Sequence, residues 1–185
     1  MKKSLISLIF VVAATCSCTS ASNKQGQEAA ESSQETVESS IDTLESLSAE
    51  EATEAPDFTL NDINGQPLKL SSLRGKYVIL DFWGSWCVWC IKGLPKMKEY
   101  YQKYAGKFEI LGIDCNDPEE KWKAAVAKYE LPWLHVYNTD DSGVLEKYAI
   151  QGFPTKIIVG PDGKIVKTII GEDPAFYTLL DKLFK

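Results

Sequence analysis

Cys87 and Cys90 stand two residues apart in WGSWCVWCIKGLP, Trp83 to Pro95, each with a tryptophan directly before it. That spacing suits either a thiol–disulfide couple or half of a zinc site. A zinc site would have to recruit Cys115 and the chain's one histidine, His135, to reach three cysteines and a histidine. Those two lie singly on separate segments rather than in a second paired knuckle, so no metal is expected. A static disulfide is the other structural use of the pair, but closing so small a loop constrains little chain and stabilises little. Redox exchange remains, and it demands a particular placement of the two sulfurs.

The surrounding pattern predicts that placement. Tyr77 to Trp83 (YVILDFW) is a continuous apolar run, as in a strand covered on both faces. Cys87 to Tyr104 reads as a helix, Phe108 to Ile113 as a strand and Pro118 to Tyr129 as a helix, with Trp122, Val126 and Tyr129 along one side. Lys156 to Val159 and Ile165 to Ile170 read as strands joined by the turn Pro161-Asp162-Gly163, and Pro174 to Phe184 as a closing helix with Phe176, Leu179, Leu180 and Leu183 on its apolar side. The expected order is β-α-β-α-β-β-α, an α/β domain whose first strands are parallel and whose last two form a hairpin.

Cys87 thus falls where a helix starts. The free amides and the dipole there favour a thiolate, which is the species that attacks a disulfide. Cys90 lies one turn further in and is expected to be less exposed, so Cys87 reads as the nucleophile and Cys90 as the resolving thiol. Asp81 interrupts the apolar strand, and burial should raise its pKa. Gly93 costs about 1 kcal/mol relative to alanine in a helix. It pairs in this reading with Pro95, which removes a backbone donor and would kink the helix. Cys115 reads as an unpaired thiol near the same sheet edge, open to a regulatory role, and His135 as a surface or strand residue without a catalytic role.

The ends of the chain divide it. Lys2 and Lys3 precede an apolar run, Leu5 to Ala14, too short to span a bilayer as a mature helix. Residues 1–17 read as a signal peptide of lipoprotein type, with Cys16 or Cys18 as the lipidated residue. Residues 18–54 hold nine acids against one base and no aromatic residue, and they read as an unstructured acidic tether. Such a coil reaches roughly 30–40 Å. The domain, residues 55–185, has 17 bases and 17 acids. The acidity of the chain therefore belongs to the tether, and no basic patch points to nucleic acid.

Three segments carry a resemblance. APDFTLNDINGQPLKLSSLRGK from Ala55, YVILDFWGSWCVWC and GFPTKIIVGPDGKIV stand in the order seen in thioredoxin-fold proteins of the TlpA/ResA type. The domain resembles that family, which are thiol–disulfide oxidoreductases tethered outside the bacterial inner membrane. The resemblance implies a central mixed sheet flanked by helices, with an N-terminal β extension. It implies that Asp81 takes the proton of Cys90, and that Pro154 follows a cis bond and faces the redox pair. Trp86, Val88, Trp89, Phe153 and Pro154 would form the substrate groove. The family often carries an acid at the position of Gly93, and that duty would here fall on Asp81 or water. The implied partners are protein thiols and disulfides, a membrane or periplasmic electron donor, and the membrane through the lipid anchor.

No bound cofactor is required, because the two sulfurs carry the electrons. Val88 and Trp89 put no charge between them, so the Cys87 thiolate should be stabilised modestly and the couple should lie on the reducing side, as a protein-disulfide reductase. Two other classes stay open. A peroxiredoxin-like peroxidase would usually set a threonine ahead of a single peroxidatic cysteine, where this chain has FWGSWCVWC. A non-catalytic binding module of this fold would be marked by loss of one cysteine, and both are present.

Overall fold

The two faces of one sheet organise residues 53–185, which are those that the computed structural model describes. The strands are β1 (Thr59–Asp62), β2 (Pro67–Lys69), β3 (Tyr77–Trp83), β4 (Phe108–Asp114), β5 (Leu134–Tyr137), β6 (Thr155–Val159) and β7 (Ile165–Ile170). The helices are α1 (Val88–Lys103), α2 (Glu119–Lys128), α3 (Val144–Lys147) and α4 (Pro174–Phe184). The seven strands lie in the order β2-β1-β5-β4-β3-β6-β7. β3, β4 and β5 run parallel, while β1, β2, β6 and β7 join antiparallel. This is the expected mixed α/β sheet, with one more parallel strand than the apolar pattern predicts. β5 is only four residues long and carries His135, and so short a stretch gives no clear period.

Side chains alternate across the sheet. Ile79, Trp83, Ile110 and Ile158 face the layer formed by α1, α2 and α4, whose buried residues include Cys90, Leu94, Met97, Trp122, Phe176 and Leu180. Val78, Leu80, Phe82, Leu111, Ile113 and Val159 face the other layer, built from Phe58, Leu60, Leu70, Leu73 and Val144. Each such side chain, fully buried, contributes roughly 1.5–3 kcal/mol. The central strands are covered on both faces, which is why they read as unbroken apolar runs. α4 starts where Pro174 follows Asp173, whose side chain accepts from Ala175 N at 2.8 Å.

The N-terminal boundary moves two residues. Glu54 bridges Lys164 and accepts from Arg74 Nη2 at 3.0 Å, and Ile165 N donates to Thr53 O at 2.8 Å. Thr53 and Glu54 therefore belong to the folded part and not to the tether. Cys16, Cys18, the signal peptide and the rest of the tether lie outside the described residues.

Candidate redox site

β3 ends at Trp83, and the turn Gly84-Ser85-Trp86 delivers Cys87 to the start of α1. Cys87 N donates to Gly84 O at 3.0 Å, closing that turn. A Cβ on Gly84 would lie 2.9 Å from Cys115 O and 2.8 Å from the Trp86 indole, so the close approach requires glycine. Asp117 fastens the turn from the β4–α2 loop, accepting from Ser85 N at 2.5 Å and Ser85 Oγ at 2.7 Å. Trp86 Nε1 donates to Cys115 O at 2.9 Å, which turns its ring outward beside Phe153, 5.2 Å away and edge-on.

Cys87 is the N-cap of α1, and Cys87 and Cys90 are joined as a disulfide with their Cα atoms 5.2 Å apart. Cys90 N donates to Cys87 Sγ at 3.1 Å, so a first-turn amide is aimed at that sulfur. The first turn holds no acid to oppose a thiolate. Lys92 sets its ammonium 4.5 Å from the Trp89 ring centre. The two cysteines are equally buried, at 5% and 4% exposure, so Cys87 is not the more exposed of the two in this oxidised form. The disulfide folds its sulfur against the helix start, and exposure passes to its neighbours. Trp86, Val88 and Trp89 are 48%, 63% and 61% exposed. Phe153 is half-buried, Pro154 is buried, and the bond between them is cis.

Asp81 lies on the α1 face, between Ile79 and Trp83, and is buried rather than open to solvent. Burial pushes its pKa up, Lys156 opposes the rise, and Glu172 adds to it. Neither Lys156 nor Glu172 was singled out by the sequence. Lys156 is the register partner of Asp81 on β6, and its Nζ lies 3.9 Å from Asp81 Oδ1 and 2.9 Å from Glu172 Oε2. A signal was present: Lys156 is a lone charge in the apolar strand TKIIV, as Asp81 is in YVILDFW.

Gly93 also makes room for a side chain from another segment. α1 runs on through Pro95 to Lys103. A Cβ on Gly93 would lie 2.8 Å from Glu172 Oε1 and closer still to the rest of that carboxylate. A carboxylate thus stands beside this position, brought by Glu172 from the β7–α4 turn.

Cys115 and His135 do not join the pair. Cys115 is an unpaired thiol, fully buried in the opposite core layer, and burial raises its thiol pKa. His135 is buried on β5 rather than at the surface, against Trp83 and Trp133. Among the described residues, no three histidine, cysteine or acidic side chains gather as a metal site.

The chain matches the AhpC/TSA family over residues 52–168. It is 38% identical over 120 residues to the thiol-disulfide oxidoreductase ResA of Bacillus cereus, covering 64% of this chain and 69% of that one. Its fold matches the thioredoxin domain of a thiol-disulfide oxidoreductase from Bacteroides vulgatus, with a TM-score of 0.67, 34% identity, and coverage of 72% of this chain and 97% of the other. A thiol:disulfide interchange protein from Bacteroides sp. matches with a TM-score of 0.65 and 36% identity, over 72% of this chain and 89% of the other. With a Cys87–Cys90 disulfide at the head of α1 in a mixed thioredoxin-type sheet, the chain belongs to the AhpC/TSA family, among its thiol–disulfide oxidoreductases of the ResA kind.

Proposed function

We propose that the protein reduces disulfides in protein substrates, with Cys87 as nucleophile, Cys90 as resolving thiol and Asp81 as the base for Cys90. The observation that carries this reading is the disulfide at a helix start, ringed by exposed apolar side chains, with a buried carboxylate on the sheet face that the helix covers. The reduced Cys87 thiolate attacks a substrate sulfur, forming a mixed disulfide and expelling the other substrate sulfur as a thiolate. Cys90 then passes its proton to Asp81 and attacks Cys87 Sγ, which releases the second substrate thiol and leaves the Cys87–Cys90 disulfide. Two electrons from a dithiol partner return the pair to its reduced form.

The helix start is the main source of thiolate stabilisation, because Lys92 sits on Trp89 and no other base lies in the first turn. That favours a reducing couple. Five large apolar side chains are exposed among the described residues, and Trp86, Val88 and Trp89 stand together around the disulfide. Such a patch suits a protein segment with an apolar residue beside its cysteine more than a small disulfide. The peroxidase alternative is disfavoured by the CxxC disulfide and by the names of the relatives.

We further read residues 1–17 as a lipoprotein signal and 18–52 as a tether, which would hold the domain at the outer side of a bacterial membrane through Cys16 or Cys18. Mass spectrometry of membrane fractions tests that anchor, and an unmodified soluble chain would end it. Oxidised apocytochrome c, whose disulfide would be returned to two thiols, is one substrate class consistent with the ResA relatives. The main test is equilibration of the pair against a glutathione buffer, together with trapping by Cys90→Ser. A reducing potential and trapped protein partners are expected. A potential of about −120 mV, that of a strong oxidant of this fold, would overturn the reductase direction.

A further inference from the structure

Asp81 shares its surroundings with a second carboxylate and one ammonium. Asp81 and Lys156 pair across β3 and β6, so both side chains point to the face that α1 covers. The ammonium stands a full ångström closer to Glu172 than to Asp81, 2.9 Å against 3.9 Å. It is almost wholly buried, with the Phe176 ring centre 5.6 Å away. Asp81 Oδ1 receives no hydrogen bond among the described residues. Glu172 is held firmly in its place: the Tyr177 hydroxyl donates to its Oε1 at 2.7 Å, Lys156 donates to Oε2, and Gly93 leaves the room its carboxylate fills. α4, β6 and α1 each contribute one part of this arrangement.

We propose that Glu172 tunes Asp81 as the base for Cys90 by holding the Lys156 ammonium away from it. This deepens the exchange mechanism above and rests on Asp81 being that base. A close Lys156–Asp81 pair would keep Asp81 ionised and weakly basic. Without the ammonium, burial would keep Asp81 protonated and unable to accept. With the ammonium drawn to Glu172, Asp81 lies between these limits and can take a proton and give it up again. In the resolving step the Cys90 S–H bond breaks and its proton passes to Asp81. The Cys90–Cys87 S–S bond forms as the Cys87–substrate S–S bond breaks. The electron pair leaves on the substrate sulfur, which is protonated afterwards.

The other groups around Asp81 stay uncharged. α4 brings Tyr177 and the end of β4 brings Cys115, both pushed up by burial. The β4 partner of Asp81 is Gly112, and Asp114 further along that strand is pushed up to about 8, first by burial. His135 on β5 is pushed down to about 4 by burial. α1, which covers this face, carries the two cysteines at its start.

Rapid mixing of the reduced protein with a chromogenic aryl disulfide separates the steps, because Cys87 releases one aryl thiol and Cys90 the second. Glu172→Gln keeps the shape and the tyrosine contact but frees the ammonium for Asp81. Its second phase should show an acid limb moved to lower pH by about one unit, with a slower plateau. Lys156→Met should move that limb upward by about one unit, and neither variant should move the first phase. NMR titration of the Asp81 carboxyl in Glu172→Gln reads the same shift without the lysine variant. An unmoved limb in Glu172→Gln, or shifts of one sign in both variants, would overturn the proposal. Asp81→Asn separates the two failures. If it slows the second phase while Glu172→Gln does nothing, the tuning alone is wrong. If it leaves the second phase unchanged, Asp81 is not the base and the tuning falls with it.

Discussion

Two clusters of buried titratable groups lie on the same face of the sheet, and they handle burial in opposite ways. Under the head of α1, Asp81 is grouped with Lys156 and Glu172, and one of the three, Glu172, keeps some contact with solvent. Toward the end of β4 and on β5, Asp114 and His135 are buried with no counter-charge beside them: Asp114 has the like-charged Asp117 as its neighbour, and neither ring nitrogen of His135 has a hydrogen-bond partner among the described residues. Burial, followed by Asp117, pushes Asp114 up to about 8, and burial alone pushes His135 down to about 4. Both are therefore mainly neutral near pH 7. A charge is kept inside where a counter-charge reaches it, and is given up where none does. In the proposed mechanism the first arrangement exchanges a proton during turnover, whereas the second makes only stability depend on pH.

Asp81→Asn should have the largest effect. It should slow the second thiol release by about 100-fold while leaving the first attack nearly unchanged. A parallel loss in both phases would erase the distinction between the clusters, since it would mark Asp81 as a packing residue.

Asp114→Asn should do the reverse, stabilising the fold by about 2 kcal/mol at pH 7 with exchange rates unaltered. The folded-state pKa of Asp114 lies above its ordinary value of 3.8. Its proton is thus held more tightly in the folded chain, and stability is lost as pH rises from about 4 through about 8. The gain from asparagine should accordingly appear across that window and vanish below it, as read by urea denaturation at a series of pH values.

His135 works at the other end of the scale. Its folded-state pKa is depressed from 6.5 to about 4, so stability is lost as pH falls through that interval. Between pH 7 and pH 5 the loss from this residue should be about 2 kcal/mol. His135→Gln should remove most of that slope. A slope that survives the substitution would assign acid sensitivity to other groups.

Gly93→Ala should give the smallest and most diagnostic change. Helix propensity favours alanine by about 1 kcal/mol, but its Cβ would strike the Glu172 carboxylate. A net loss of about 1 kcal/mol is expected from the overpacking. In a Glu172→Ala background the same change should become stabilising, and a double-mutant cycle measures the coupling. Additive effects would show that Gly93 does not make room for Glu172.

Local pattern alone determined much of this protein. The strands Tyr77–Trp83 and Ile165–Ile170 and the helix Pro174–Phe184 were legible to the residue, because burial on two faces or on one leaves a run or a period in the chain. Cys87 and Cys90 were legible for the same reason: the strand, the turn and the helix that position them are consecutive. β5 and α3, at four residues each, are too short to leave such a mark. The setting of Asp81 was a matter for the tertiary structure. Lys156 reaches it through antiparallel register across 75 positions of chain, and Glu172 enters through a turn that meets α1 where a side chain is missing. The layer that takes Cys115 was decided in the same way, by strand pleat and sheet order. Periodicity is a property of neighbours in sequence, while the energy of a buried charge depends on which distant residues the fold brings within a few ångströms.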